Sequence, residues 1–498
     1  MKVSGIFFNK AVTAASGVVF FVAWLVYHQA CNINSDAAIS SIIGQDIASG
    51  NILLKNWFLS TQPYYTTDYL LHGLLYYITN DLYYTSYLGV ACILFFVFVS
   101  VSHIVKHCVR HDYIAYTLLI YIIFVIAMRS TIYASPVHYA PIAFCILSVY
   151  FYYQQDSKTS GLFFVLSSFM AIAGDMYAVF YMAIPLCIEA ALHCWRIKRL
   201  EQRLLLFLPA AVLVFAFGWF LQKYGYSVPG FKAQFADIAA LPGNLDLCLK
   251  GWFALFSAYF WMADITFAKR LVRLAFSILP LSCLAVHIYY ARSPLRVARF
   301  LCLSSFIITA AFICSNAPVD MYSGRYLLGV AVNSIILIAV FMVNTFPGEN
   351  CRALARAGAL LLGGIFLLLS LVLPPSQDKV DTAALAEALR ERKLQTGYAE
   401  FWSAYSTEFA ADGEVRVAAI AAAGESFAPY YWLSKTDWYD RPAYFVIRDE
   451  AHPASRAMML EDRLLKTFGA FSDRFMVNGR YTIYVWQEDL GHKLVGKR

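Results

Sequence analysis

The chain has 498 residues, of which 60% are hydrophobic and 14% charged, against about 25% charged residues in soluble domains. Apolar runs recur along its first three quarters, and lipid cannot satisfy free backbone groups, so a helical membrane bundle is the only sensible class. The net charge of +7 comes from basic residues in short segments between those runs, where they set topology and are no sign of nucleic-acid binding.

The first run, residues 11–31, follows Lys2 and Lys10 as a signal peptide would. It is long, and the residues around Cys31 make a poor cleavage site, so it is read as a retained first helix. Residues 32–81 then form a loop too long to be a plain connection. Asp36 follows the first helix almost at once. The spacing of Asp36, Ile39, Ile43 and Ile47 predicts a short helix lying on the membrane, with Asp46 on its wetter side. Trp57, Pro63, Tyr64 and Tyr65 come next, then Asp68 and His72, which are four apart and share a helix face. These carboxylates are either solvated loop residues or, with the His, parts of a general-base site.

Further spans are expected at 82–102, 113–128, 139–153, 161–174, 176–194, 204–221, 271–291, 300–316, 326–346 and 357–375, which makes about eleven transmembrane helices. Basic groups at Lys106 with Arg110, Arg196–Arg203, Arg292–Arg299 and Arg352 with Arg356 are expected to be cytoplasmic. Alternate ends then face outward, as does everything after about residue 376. His138 falls at an outward helix end. Asp175 interrupts a long apolar stretch as an outward hairpin turn, and an intramembrane carboxylate is a functional candidate. Glu189 lies nearer the cytoplasmic end and is expected to snorkel. Residues 251–267 read as an interfacial or re-entrant segment, followed by the basic group Lys269, Arg270 and Arg273. Arg325, in DMYSGRYLL, sits at the outward start of a span. It could hold a phosphate in two-pronged fashion or pair with Asp320.

Apolar runs stop near Pro374 and charges crowd in, giving a transmembrane domain over 1–375 and a soluble one over 376–498. In the latter, 383–393 reads as an amphipathic helix, and 415–420, 443–447 and 481–486 read as strands of a small α/β domain. The eleven Cys, scattered mostly inside apolar runs with no CxxC pair, read as small buried hydrophobes and not as a disulfide or zinc framework.

The layout resembles the GT-C superfamily of integral membrane glycosyltransferases, which includes protein O-mannosyltransferases and the lipid A aminoarabinose transferase. The resemblance is carried by a first helix followed by a long loop with an early acid, by SDAAISSIIGQDIASGNILLKNWFLS and YYTTDYLLH, by GDMYAVFYMAIP and GRYLL, and by the tail GYAEFWSAY. It implies transfer of a hexose or pentose from a polyprenyl phosphate to an extracytoplasmic acceptor, with inversion. Asp36 would then be the base, with Asp68 as a second catalytic carboxylate. Arg325, with Lys269 or Arg270, would meet the phosphate. His72, Asp175 and His138 would position acceptor or base, and Trp57, Tyr64 and Tyr65 would stack on sugar or prenyl chain. Ser35 stands before Asp36 where the mannosyltransferases have a paired acid, which leaves a divalent cation open. The implied partners are the lipid-linked donor, the bilayer and a cell-envelope glycan, glycolipid or protein, with the site outside a bacterial plasma membrane. The rival readings are a transporter or flippase, which would need charges along a midplane path, and a polymerase of lipid-linked saccharides.

Overall fold

The computed structural model describes residues 2–60, 62–109, 112–129, 132, 136–154, 158–198, 201–223, 234–262 and 265–496. Among them, seven helices are long and apolar enough to cross a membrane: Lys10–Ala30, Leu82–Cys108, Arg203–Phe220, Phe267–Tyr290, Arg296–Ile313, Met321–Thr345 and Glu349–Val372. The shorter apolar helices Ile114–Ala127, Tyr139–Tyr153 and Lys158–Gly174 accompany them. The protein is thus a polytopic helical membrane protein with a small sheet domain at its C-terminal end. The stretch expected as one span over 176–194 is π-helical at Val179–Ala183 and α-helical from Ile184 to Ile197. Pro185, which lacks an amide hydrogen, sits in the first turn of that α-helix.

The chain divides into two compact units. The first comprises Met1–Val26, Ala91–Gly218 and Phe231–Val372, and the second Tyr27–Val90, Trp219–Gly230 and Leu373–Arg498. The first loop therefore groups with the tail and not with the membrane helices.

In the first unit, two polar clusters mark the two ends of the bundle. Helix Tyr139–Tyr153 has His138 before its start and Tyr150 to Tyr153 in its last turn. Its 15 residues separate these by about 22 Å at 1.5 Å per residue. At the Tyr150 end, Tyr150 packs on His103 and His107, at 5.2 and 6.2 Å between ring centres. Arg203 donates to the Tyr152 carbonyl at 2.5 Å, and Tyr153 donates to Glu189 at 3.0 Å. Glu189 is 3% exposed and pairs with Arg296 at 2.8 Å and Arg299 at 3.2 Å; Arg296 also pairs with Glu201 at 2.9 Å. The snorkelling expected of Glu189 is thereby corrected, because two guanidinium groups and a phenol hold it inside. At the other end the chain reverses at Asp175. It comes back far enough for Leu206 to lie 3.6 Å from where a side chain on Gly161 would begin. Helix Leu328–Thr345 is buried along most of its length. Its Asn333 accepts from Tyr181 at 2.6 Å and donates to Ser304 and Ser305 of helix Arg296–Ile313.

The second unit is built on a six-stranded sheet. Its strands are β2 Thr396–Ala399, β3 Arg416–Ala423, β4 Ser426–Pro429, β6 Phe445–Asp449, β7 Asp473–Val477 and β8 Tyr481–Val485, in the order β4-β3-β2-β6-β8-β7. β2 pairs in parallel with β3 and β6, and the remaining pairs are antiparallel. Tyr398, Phe445, Val446 and Ile483 are fully buried on it. A two-residue strand of the first loop, β1 Trp57–Phe58, pairs antiparallel with β5 Ser434–Lys435 of the tail. The tail helix runs over Gln377–Glu391, earlier than the expected 383–393, because the Ser376 side chain caps it by accepting from the Lys379 amide.

The helix expected on the membrane surface is Ser35–Ala48, and it is buried. Ala37, Ala38, Ile39, Ile42 and Ile43 are covered because helix Leu70–Thr79 and helix Phe401–Ala410 both pack on it. The Ser35 hydroxyl lies 2.6 Å from the Phe401 carbonyl and 2.8 Å from that of Trp402. Gly44 and Gly73 let the two loop helices touch at backbone distance: a β-carbon on Gly44 would lie 2.7 Å from the His72 carbonyl carbon.

Candidate functional site

The second unit holds the two carboxylates that the sequence picks out first. Asp36 stands in the first turn of Ser35–Ala48, behind the N-cap Asn34, whose side chain accepts from the Ala37 amide at 3.0 Å. Unpaired amides at a helix start favour a negative charge there. Asp36 is half-buried. Asp68 lies in the π-helical turn Tyr65–Tyr69 and is 1% exposed, which corrects the reading of a solvated loop carboxylate. Thr67 donates to it at 2.7 Å. Both carboxylates act on Tyr69: burial first, and then the charges of Asp68 and Asp36, push its hydroxyl well above the usual range. Burial and Asp36 also raise Tyr430. Tyr69 and Tyr430 escape a reading of sequence because tyrosine is common in this chain and nothing local distinguishes these two.

His72 is a packing residue. It is buried, its Nδ1 donates to the Asp68 carbonyl at 2.8 Å, and desolvation lowers its pKa to about 4. A β-carbon on Gly89 would lie 2.4 Å from its Nε2, so the neutral ring fills the space that this glycine leaves. Tyr64 packs on Tyr69 at 6.5 Å and has a left-handed backbone, φ 48°. Tyr65 donates to the Ile52 carbonyl at 2.7 Å. Trp57 is buried, donates from Nε1 to Asp46 at 2.7 Å, and meets Trp438 edge-on at 4.9 Å. The β1–β5 pairing draws most of its surface into the core of its unit.

The first unit gathers three other candidates at one end. His138 Nδ1 lies 2.9 Å from Asp175, which is 2% exposed and also accepts from the Tyr177 amide at 2.9 Å. The His138 ring meets Tyr326 at 5.8 Å, and the Arg325 guanidinium lies over the same Tyr326 at 5.1 Å. Tyr326 therefore joins Asp175, His138 and Arg325 into one row. It stands beside Arg325 in GRYLL, and that adjacency was the only signal for it. Asp320 caps the turn Met321–Leu327, accepting from the Ser323 amide at 2.9 Å. Lys269 and Arg270 stand apart, exposed on helix Phe267–Phe276, while Arg273 donates to the Tyr259 carbonyl at 2.9 Å. Among the described residues no group of three or more His, Cys, Asp or Glu could hold a metal ion.

No family model and no curated protein matches the chain. Solved structures do resemble it. ArnT from Cupriavidus metallidurans bound to undecaprenyl phosphate aligns with 97% of this chain and 98% of its own, with a TM-score of 0.58 and 11% identity. The apo state of the same protein gives 0.57 and 10% over the same shares. The Archaeoglobus fulgidus oligosaccharyltransferase in its apo form aligns with 89% of this chain and 70% of its own at 10% identity, and its TM-score of 0.46 is too low to indicate a common fold by itself. With 97% of its residues in the alignment, this chain has the fold of ArnT.

Proposed function

We propose that this protein is a membrane glycosyltransferase that moves a sugar from a polyprenyl phosphate to an extracytoplasmic acceptor, with inversion, in a bacterial plasma membrane. The observation that carries the reading is the likeness, along nearly the whole chain, to a protein solved with undecaprenyl phosphate.

The chemistry needs a carboxylate to take the acceptor's proton and a cation to stabilise the departing phosphate. Asp36 is proposed as the carboxylate, since it is half-buried and lies in the first turn of a well-packed helix. Arg325 is proposed as the cation. Stacking on Tyr326 fixes the plane of its guanidinium, as two-pronged binding of a phosphate requires. His138, itself held by Asp175, packs on Tyr326 and so helps position Arg325.

The test uses the purified full chain in detergent with undecaprenyl phosphate and, as control, undecaprenol. A ligand that binds only the folded state raises the melting temperature by mass action. Saturable stabilisation by the phosphate alone is expected. Arg325→Ala should weaken it about tenfold or more, and Arg325→Lys should recover only part, because a point charge lacks the fork. Equal stabilisation by undecaprenol would remove the phosphate from the reading. A full response in Arg325→Ala would move the phosphate to Lys269 and Arg270.

A further inference from the structure

The second unit contains a cleft of about 250 Å3 that the proposed chemistry does not use. Asp46, Trp57, Arg416, Lys435, Trp438 and Arg441 line it. Its volume is below the about 300–1,000 Å3 typical of pockets for drug-sized ligands, so it suits a group the size of one sugar residue.

Its charges are unbalanced. Asp46 is already engaged by three donors: Asn51 at 2.5 Å, Trp57 at 2.7 Å and Lys435 at 3.0 Å. Arg416 is paired with Glu408, and the Arg441 guanidinium is left in excess. Arg416 is held at one end by the buried Glu408, 2.9 Å away, and lies over the Trp438 ring at 4.6 Å. Its Nε is buried, but the side chain is 18% exposed, so a ligand in the cleft meets the end of the guanidinium. Arg441 is exposed, and no hydrogen bond or ion pair engages its side chain among the described residues. Gln45 and Ser49 add neutral polar groups to the lining.

We infer that this cleft binds an anionic sugar residue, phosphorylated or carboxylated, with Arg416 and Arg441 holding the anion and Lys435 at its edge. Placing that sugar in the acceptor glycan rests on the glycosyltransferase reading. Binding to the cleft does not, so the two can fail separately.

The experiment is titration calorimetry on the purified full chain with glucose 6-phosphate, glucuronate, glucose and inorganic phosphate. Glucose 6-phosphate or glucuronate should bind, and which of them binds tells phosphate from carboxylate. Glucose should not bind. Arg441→Ala, on an exposed side chain, should weaken the binding about tenfold, as the loss of one charge-assisted contact does. Lys435→Gln should weaken it less, because that ammonium already serves Asp46. Binding of neither anionic sugar, or equal binding by Arg441→Ala, overturns the proposal. Inorganic phosphate binding as tightly as glucose 6-phosphate overturns its sugar half. Cleft binding without any response to undecaprenyl phosphate would count against the proposed function and leave the cleft standing.

Discussion

A carboxylate that begins a helix combines a fixed position with an environment that favours its charge, and Asp36 has both. Asp36→Asn keeps the shape of the side chain but cannot take a proton, and loss of a general base typically costs about 10²–10⁴-fold in rate. The variant is expected to insert, fold and respond to undecaprenyl phosphate as the wild type does, and to lose transfer by at least about 100-fold. Near-wild-type transfer in Asp36→Asn together with a dead Asp68→Asn would move the base to Asp68. If both variants transfer normally, the enzymatic reading fails. Individual residues were unevenly legible. Asp175 stands out because a charge in a long apolar stretch needs a reason, and the structure supplies one in His138. Tyr69 and Tyr326 have no such contrast. Lys435, Arg416 and Arg441 look like ordinary surface charges of a small domain until β1 pairs with β5 and the cleft takes shape.

The helices of the first loop pack more tightly than loop segments usually do, and the contact of His72 with Gly89 shows how little slack they have. Gly89→Ala would bring a β-carbon to 2.4 Å from Nε2 of a ring that its Nδ1 bond to Asp68 already holds in place. Overpacking of this kind costs about 1–3 kcal/mol, so a lower melting temperature is expected. His72→Ala removes the ring, and the double variant should be destabilised by less than the sum of the two single ones. The same burial makes stability depend on pH. His72 has a folded-state pKa of about 4 against an unfolded value of 6.5, so between these values the unfolded chain binds more protons. Stability should therefore fall as the pH drops through that window, by at most about 3 kcal/mol, and His72→Gln should flatten the slope between pH 6.5 and 4. An unchanged slope would mean that other groups cause it. Apolar runs made the long helices legible, since nothing soluble explains them. The burial of Ser35–Ala48 was not legible, because its apolar face suits lipid as well as protein. β2, the strand at which both parallel pairings meet, has four residues and no alternation to reveal it.

At the scale of the whole chain, the arrangement of charge in the first unit bears on which way the protein lies in the membrane. Lys106 closes helix Leu82–Cys108, where His103 and His107 pack on Tyr150. Arg203, Arg296 and Arg299 meet the last turn of Tyr139–Tyr153 either directly or through Glu189. Arg352 and Arg356 pair with Glu349 at the start of Glu349–Val372, near where the Phe346 carbonyl accepts from Tyr116. The carboxylate–histidine row lies at the opposite end of the same helices. Lys and Arg near span ends stay in the cytoplasm, and acidic residues hardly offset the bias, so the pairing of Arg352 and Arg356 with Glu349 does not weaken the inference. The basic end is expected to be cytoplasmic. A single span, Glu349–Val372, then separates Arg352 from the tail, which is expected outside. Alkaline phosphatase, which matures only outside the cytoplasm, should be active when fused after Arg498 and inactive when inserted after Lys198, between helix Ile184–Ile197 and the span that begins at Arg203. A fluorescent protein that matures only in the cytoplasm should give the reverse pattern. Activity of the phosphatase at both positions would break the parity of the helices between them, and inactivity at Arg498 with activity at Lys198 would turn the protein over. Asp36, which follows helix Lys10–Ala30, would then face the cytoplasm, away from any extracytoplasmic acceptor.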